Sequence, residues 1–166
     1  KVDLNAATNK ATVQFLIDEG KRNRIARILF KGNHAFKSRR LIKLIKTRSY
    51  WLLNPGFYKK ELLDEDMARI VSFYANEGFL DAKAEYQADF SRKNKMTVVI
   101  TVTEGKKYFV GKLTVSGNAV FSEKEIAAAI KESKPEKIYS KQRLDGDVGN
   151  IRSLYFDKGY IFAEIA

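Results

Sequence analysis

Cysteine is absent from the 166 residues, so neither a disulfide nor a thiolate metal site can hold this chain together. Histidine occurs once, at His34, which leaves no second imidazole to complete a catalytic or metal-binding set. No run approaches the roughly 20 apolar residues that a membrane-crossing helix needs. Nothing at the start reads as a signal peptide and there is no initiator methionine, so the chain is expected to be a segment of a longer protein.

Acids are missing locally as well. Residues 21–50 contain none and carry +11, against −1 for residues 1–20, −1 for 51–106 and +2 for 107–166. The basicity is a patch, not a property of the whole surface. What is present is 45% hydrophobic and 12% aromatic residues. That composition can build a core and excludes a disordered tail; the length suits one ordinary domain or two small ones.

The chain repeats itself. "ILFKGNHAF" at 28–36 returns as "LTVSGNAVF" at 113–121. Around it Glu19-Gly20 matches Glu104-Gly105, Gly32-Asn33 matches Gly117-Asn118, and Phe36 matches Phe121. Further on, after a longer connection in the first copy ("TRSYWLLNPG"), Leu63-Asp64 matches Leu144-Asp145 and "YANEGF" matches "YFDKGY". At the front, Val13, Phe15 and Ile17 align with Val98, Ile100 and Val102, a returning strand.

Each unit reads as β-α-α-β-β. Ile28 and Phe30 alternate with Arg27, Leu29 and Lys31, and Leu113 and Val115 take the same places in the copy; both stretches predict half-buried strands. Gly32 and Gly117 permit a tight turn, and Asn33 and Asn118 are the next most tolerant residues there. Ser122 and Glu125 form a capping-box pattern with Phe121 and Ile126 as its staple, so the aromatic after the turn pins the start of a helix. A second helix follows, with Leu63, Met67, Ile70, Val71 and Tyr74, or Leu144, Val148, Ile151 and Tyr155, on one face. Gly78 and Gly159 sit at its C-terminal cap. Ala82–Phe90 then alternates strictly, "SRKNK" turns, and Met96–Val102 returns. The fold class is α+β, with two antiparallel helices packed on a three-stranded mixed sheet. The expected boundaries are 1–20 (closing hairpin of a preceding unit), 21–106 (a complete unit) and 107–166 (a unit lacking its last strand). The short joints predict a semi-rigid rod.

These motifs, twice over and in one order, resemble the POTRA repeats of BamA-type outer-membrane β-barrel assembly factors. The carriers are Glu-Gly at the strand end, Gly-Asn with Phe36 or Phe121, and the Tyr-x-x-x-Gly-aromatic signature of Tyr74, Gly78 and Phe79, then Tyr155, Gly159 and Tyr160. The resemblance covers essentially the whole chain, and the aromatic connection is similar to that of the middle repeat of such an array. It implies a non-enzymatic scaffold without cofactors on the periplasmic face of the bacterial outer membrane. It also implies accessory assembly lipoproteins and unfolded outer-membrane proteins as partners, and a C-terminal membrane barrel in the full-length protein. A related secretion or translocation pore with the same repeats is the alternative.

Three surfaces are candidates. The strand 82–90 is an outer strand, and its backbone can bind an extended chain beside Lys83, Glu85, Gln87 and Asp89. The same charges also serve to protect an edge. Lys37, Arg39, Arg40, Lys43 and Lys46 on the first helix form a basic patch, read either as a solvated face or as a site for anionic lipid headgroups or an acidic partner. Tyr50, Trp51 and Phe57 in the aromatic connection offer a protein-docking spot if they do not fold back as core. Asp64, Glu65 and Asp66 read as acids suited to a helix start rather than as a metal site. A KH-like nucleic-acid module shares the element order, but neither inter-helix connection contains a GxxG clamp, which argues against nucleic acid as a partner.

Overall fold

The computed structural model describes residues 2–5, 10–19, 23–92 and 95–165. The motif residue Gly20, the boundary residue Lys21 and the turn residues Lys93 and Asn94 lie outside them. A short antiparallel hairpin, β1 (Val2–Asn5) with β2 (Lys10–Val13), comes first. The first full unit follows: β3 (Arg24–Lys31), α1 (Ser38–Leu44), α2 (Lys60–Asn76), β4 (Lys83–Arg92) and β5 (Lys95–Thr103). The chain then makes α3 (Glu123–Ala129) and α4 (Lys141–Asp157).

The sheet of the first unit runs β3-β5-β4, with β5 parallel to β3 and antiparallel to β4. β5 is central because it is the most β-branched segment, "KMTVVITVT". Its inward residues Met96, Val98, Ile100 and Val102 are buried against Leu41 and Ile45 of the α1 region and Leu63, Met67, Ile70 and Tyr74 of α2. The expected helical face of α2 and the expected strand alternation therefore meet in one core.

The recurrent motifs are the fastenings of this core. Gly32 has φ +75°, and a Cβ there would stand 2.1 Å from the Val102 carbonyl oxygen, so the turn passes too close to β5 for any side chain. The Asn33 side chain donates to the Phe36 carbonyl at 2.7 Å. Phe36 meets Phe73, Tyr74 and Phe79 edge-to-face with centroids 4.8, 5.1 and 6.0 Å away. Glu104, the strand-end acid, accepts from the Ala35 N–H at 2.8 Å and from the Tyr74 hydroxyl at 2.9 Å. One carboxylate thus ties the turn, α2 and the end of β5 together. Burial and the Glu104 carboxylate both push the Tyr74 phenol far above its ordinary value.

The second copy repeats these fastenings. Asn118 donates to the Phe121 carbonyl, the Phe121 and Tyr155 rings lie 5.0 Å apart, and the predicted capping box of Ser122 and Glu125 is formed. Its strands are another matter. Residues 111–116 form no strand, contrary to the expectation for Leu113 and Val115. Among the described residues no strand lies beside them, and a strand exists only through its ladder. Leu113, Val115, Ile126, Ile130, Leu144 and Val148 line an open cleft between this segment and the two helices. The front hairpin is corrected likewise. β2 ends at Val13, and Phe15 and Ile17 are exposed instead of continuing the strand, since no helices of the described residues cover them.

The two units meet at a built joint. Tyr108 donates its N–H to the Gly78 carbonyl at 2.8 Å and its hydroxyl to Asp81 at 2.8 Å. The Asn76 side chain accepts from the Ser140 hydroxyl and the Gln142 N–H, and Arg143 donates to the Asn76 carbonyl. Gly78 (φ +93°) is a cap residue as expected. A Cβ on it would also lie 2.8 Å from the Ile138 side chain and 2.9 Å from the Tyr108 carbonyl oxygen, so the second unit packs directly on this glycine.

Candidate functional site: an open sheet edge

β4 pairs with β5 alone among the described strands, in register from Lys83 opposite Thr103 to Asp89 opposite Thr97. Lys83, Glu85, Gln87 and Asp89 are exposed on one face, and Phe90, on the other, is exposed as well. Ala84, Tyr86 and Ala88 point the other way and are half-buried beside α2. The Tyr86 hydroxyl donates to Asp64 at 3.2 Å, and the Phe90 ring meets Tyr58 edge-to-face at 6.4 Å. Burial first, then Tyr58 and Asp64, push the Tyr86 phenol up. The lateral side of β4 away from β5 faces no strand of the described residues, so alternate backbone N–H and C=O groups point outward. One strand-long edge is lined on its helix side by small or aromatic residues and on its outer side by charges.

The sheet's other edge is different. The Ile25 N–H donates to the Gly56 carbonyl at 2.8 Å, the Tyr50 N–H donates to the Ile25 carbonyl at 2.7 Å, and Arg24 bridges Phe57. The aromatic connection therefore covers the start of β3 with its own backbone.

That connection does not fold back as core in the main. Tyr58 is half-buried and Phe57 borders on exposed, but Trp51, Leu52 and Leu53 are 67%, 86% and 84% exposed. Trp51 and Asn54 exchange backbone hydrogen bonds at 2.9 and 2.8 Å, which makes these residues the tip of a tight hairpin. Arg24 stacks on Tyr50 with its guanidinium carbon 4.8 Å from the ring centre, and lies 5.9 Å from that of Phe57.

The basic patch is looser than the sequence suggested. α1 spans Ser38–Leu44, so Lys37 is its cap residue and Lys46 lies past its end; all five cations do not sit on one helix. Arg40 is committed to the fold, bridged to Glu77 at 2.7 Å and stacked over Phe36 and Phe73. Lys37, Arg39, Lys43 and Lys46 are exposed.

Asp66 corrects the reading of the acidic run. It is fully buried and accepts from the Lys46 and Thr47 N–H groups at 2.7 and 2.8 Å and from Arg69 at 2.6 Å. Burial raises its pKa, but these donors outweigh burial and hold the carboxyl below its ordinary value. Asp147 does the same in the second unit, accepting the N–H groups of Lys131, Glu132 and Ser133. Both carboxylates satisfy the backbone that leaves the first helix of their unit. Two signals pointed there: the acids align across the repeat, and Asp66 falls three residues after Leu63 and four before Ile70, on the buried face. Among the described residues no group of three His, Asp or Glu side chains is placed to hold a metal ion.

A family model, POTRA, described as "surface antigen variable number repeat", matches residues 23–105 and again 108–166. A Treponema pallidum protein named as an outer membrane protein assembly factor is 36% identical over 96% of this chain and 20% of its own length. The outer membrane protein assembly factor BamA of Neisseria meningitidis serogroup B is 28% identical over 96% of this chain and 21% of its own. The chain spans about a fifth of the length of these relatives. Among solved structures, POTRA3-5 of Haemophilus influenzae BamA superimposes with a TM-score of 0.53 at 18% identity, over 94% of this chain and 60% of that one.

Proposed function

The chain belongs to the POTRA family, and from that premise we propose that it is part of the periplasmic scaffold of an outer-membrane β-barrel assembly machine. In this role it docks accessory assembly proteins and holds unfolded barrel substrates along β4 until they insert. The coarse part, POTRA repeats related to BamA-type factors, is given by the family match and the relatives. The observation that carries the finer part is the asymmetry of the sheet's two edges: the start of β3 is covered by the chain's own connection, whereas no strand of the described residues pairs with the outer side of β4.

An edge of this kind recognises backbone, so it accepts many sequences. The alternation across it adds a filter. A strand added beside β4 places every second side chain against Ala84, Ala88 and Phe90 and the others beside Lys83, Glu85 and Gln87. That is the polar–apolar alternation of a membrane-barrel strand. Weak contacts of this type gain strength when repeated along a semi-rigid rod, a reading that the hydrogen bonds at Asn76, Gly78 and Tyr108 support.

The test is binding of a labelled ten-residue peptide of alternating polar and apolar residues, with proline at two neighbouring positions of β4. Adjacent strand residues point their N–H groups to opposite edges. Of Gln87→Pro and Ala88→Pro, therefore, one removes an outward donor and the other breaks the β4–β5 ladder. The variant that stays folded is expected to bind about tenfold more weakly, the loss of roughly one hydrogen bond. Parental binding by that folded variant overturns the proposal. Tighter binding of a labelled RNA than of the peptide overturns it in favour of a nucleic-acid module.

A further inference from the structure

The hairpin at Trp51–Asn54 is not explained by strand capture. It is apolar where it is most exposed, and it is rigidly mounted. Tyr50 and Gly56 bond to both backbone groups of Ile25. Gly56 (φ +57°) lies so close to the Tyr50 backbone that a Cβ on it would sit 2.4 Å from the Tyr50 nitrogen. A surface protein normally hides two adjacent leucines beside a tryptophan; here the fold pushes them outward on a fixed stalk.

The surroundings decide what such a tip meets. Residues 21–60 contain thirteen Lys and Arg and no acid. The connection is flanked by exposed Lys46 and Lys59 and by Arg48, whose guanidinium also donates to the Ile42, Ile45 and Thr47 carbonyls, and Arg24 stands over Tyr50 and Phe57 at the hairpin's base. The arrangement is an apolar tip of Trp51, Leu52 and Leu53, a tyrosine at its base, and cations along its flanks. The order matches the depth profile of a lipid interface: acyl chains, then the aromatic belt, then anionic headgroups. A concave protein partner would need only the tip; the cation-rich flanks are surplus to it and suit an extended negative surface. A four-residue hairpin projects on the order of 5–7 Å, which reaches the headgroup–acyl boundary without crossing it.

We propose that Trp51, Leu52 and Leu53 form a membrane-inserting tip that seats the first POTRA unit on an anionic phospholipid surface, with Arg24, Lys46, Arg48 and Lys59 as its electrostatic collar.

Trp51 is the chain's single tryptophan, so its emission reports the tip alone. The 166-residue chain is titrated with phosphatidylglycerol/phosphatidylcholine vesicles and with pure phosphatidylcholine vesicles. The expected result is a blue shift and quenching by brominated acyl chains. Partitioning should be at least tenfold stronger for the anionic vesicles and should fall several-fold between 0.1 and 0.5 M salt, as screening shortens the reach of the collar. Leu52→Asp with Leu53→Asp, on a fully exposed tip, leaves the circular dichroism unchanged and abolishes the quenching. Arg24→Glu with Lys46→Glu reduces partitioning at least fivefold, and a Lys46→Glu single variant covers the case in which loss of the Arg24 stack disturbs β3. Absence of any blue shift or bromine quenching at millimolar anionic lipid overturns the proposal, as does a shift without quenching. A Trp51 shift produced only by an added protein partner overturns it in favour of a protein-docking role.

Discussion

The two POTRA units contain the same devices and differ in what those devices hold. Each has the Gly-Asn turn, the asparagine bond to a phenylalanine carbonyl, the Phe–Tyr ring pair, and a buried aspartate that receives the loop after the first helix. Among the described residues only the first has a sheet. Its core residues Leu63, Ile70 and Tyr74 are fully buried, whereas their counterparts Leu144, Ile151 and Tyr155 are only half-covered; Leu41 and its counterpart Ile126 are buried in both units. Short-range hydrogen bonds form wherever their few residues are present. Strands and core burial form only where distant segments also arrive, as β5 does in the first unit.

The largest effect that separates the units is expected at the aligned tyrosines. Tyr74→Ala removes a buried ring from between Phe36, Phe73 and Phe79 and leaves Glu104 with one donor fewer. It should cost about 4 kcal/mol. Tyr155→Ala removes a half-exposed ring with two aromatic neighbours, Phe121 and Tyr160, and should cost less than about 2 kcal/mol. Urea unfolding of the two variants measures the difference. Equal costs would show that the second unit has a closed core after all.

The aspartates give the opposite expectation, near equality, because each is a local device. Asp66→Ala leaves the Lys46 and Thr47 N–H groups without their acceptor, and Asp147→Ala does the same to those of Lys131, Glu132 and Ser133. Each should cost about 2–3 kcal/mol at pH 7. Both carboxyls are held below their unfolded pKa of about 3.9. The stability they supply is therefore fully present above about pH 4 and is lost as pH falls through the folded values. The gap between the parent and either variant should stay constant from pH 5 to 8 and close on acidification. A gap that persists undiminished at pH 2 contradicts the charge-based account.

The same contrast explains which parts were legible in the sequence. The Gly-Asn turn, the capping box, the helical faces and the alternation of residues 82–90 are short-range patterns, and the structure forms each of them. Leu113 and Val115 carry as good a strand pattern as Ile28 and Phe30, but no strand of the described residues lies beside them, and pattern alone makes no ladder. Asp66 was misread because a buried acid looks like a helix-start acid until the loop N–H groups that it serves are in view. Arg40 looked like one more patch cation, yet the Glu77 carboxylate and two aromatic rings claim it from residues far along the chain. The connection at Trp51 could be recognised as aromatic, but its outward tip depends on Ile25 fixing both legs of the connection.

The smallest expected difference lies at the first helix of each unit, and it sharpens the comparison because here the second unit is the better built. Ser122 accepts from the Glu125 N–H at 3.3 Å, and Glu125 accepts from the Ser122 N–H at 2.9 Å and from its hydroxyl at 2.7 Å. These bonds, led by that of the Ser122 hydroxyl, also hold the Glu125 carboxyl below its ordinary value. The first unit places Lys37 at the same position, with no side-chain cap. Ser122→Ala should cost about 1 kcal/mol, Lys37→Ala close to nothing, and Lys37→Ser should add a few tenths of a kcal/mol by supplying the missing acceptor. Urea midpoints measured at pH 7 decide the matter. A silent Ser122→Ala, or a Lys37→Ser variant less stable than the parent, would mean that Phe36 and Phe121, rather than the caps, set where these helices begin.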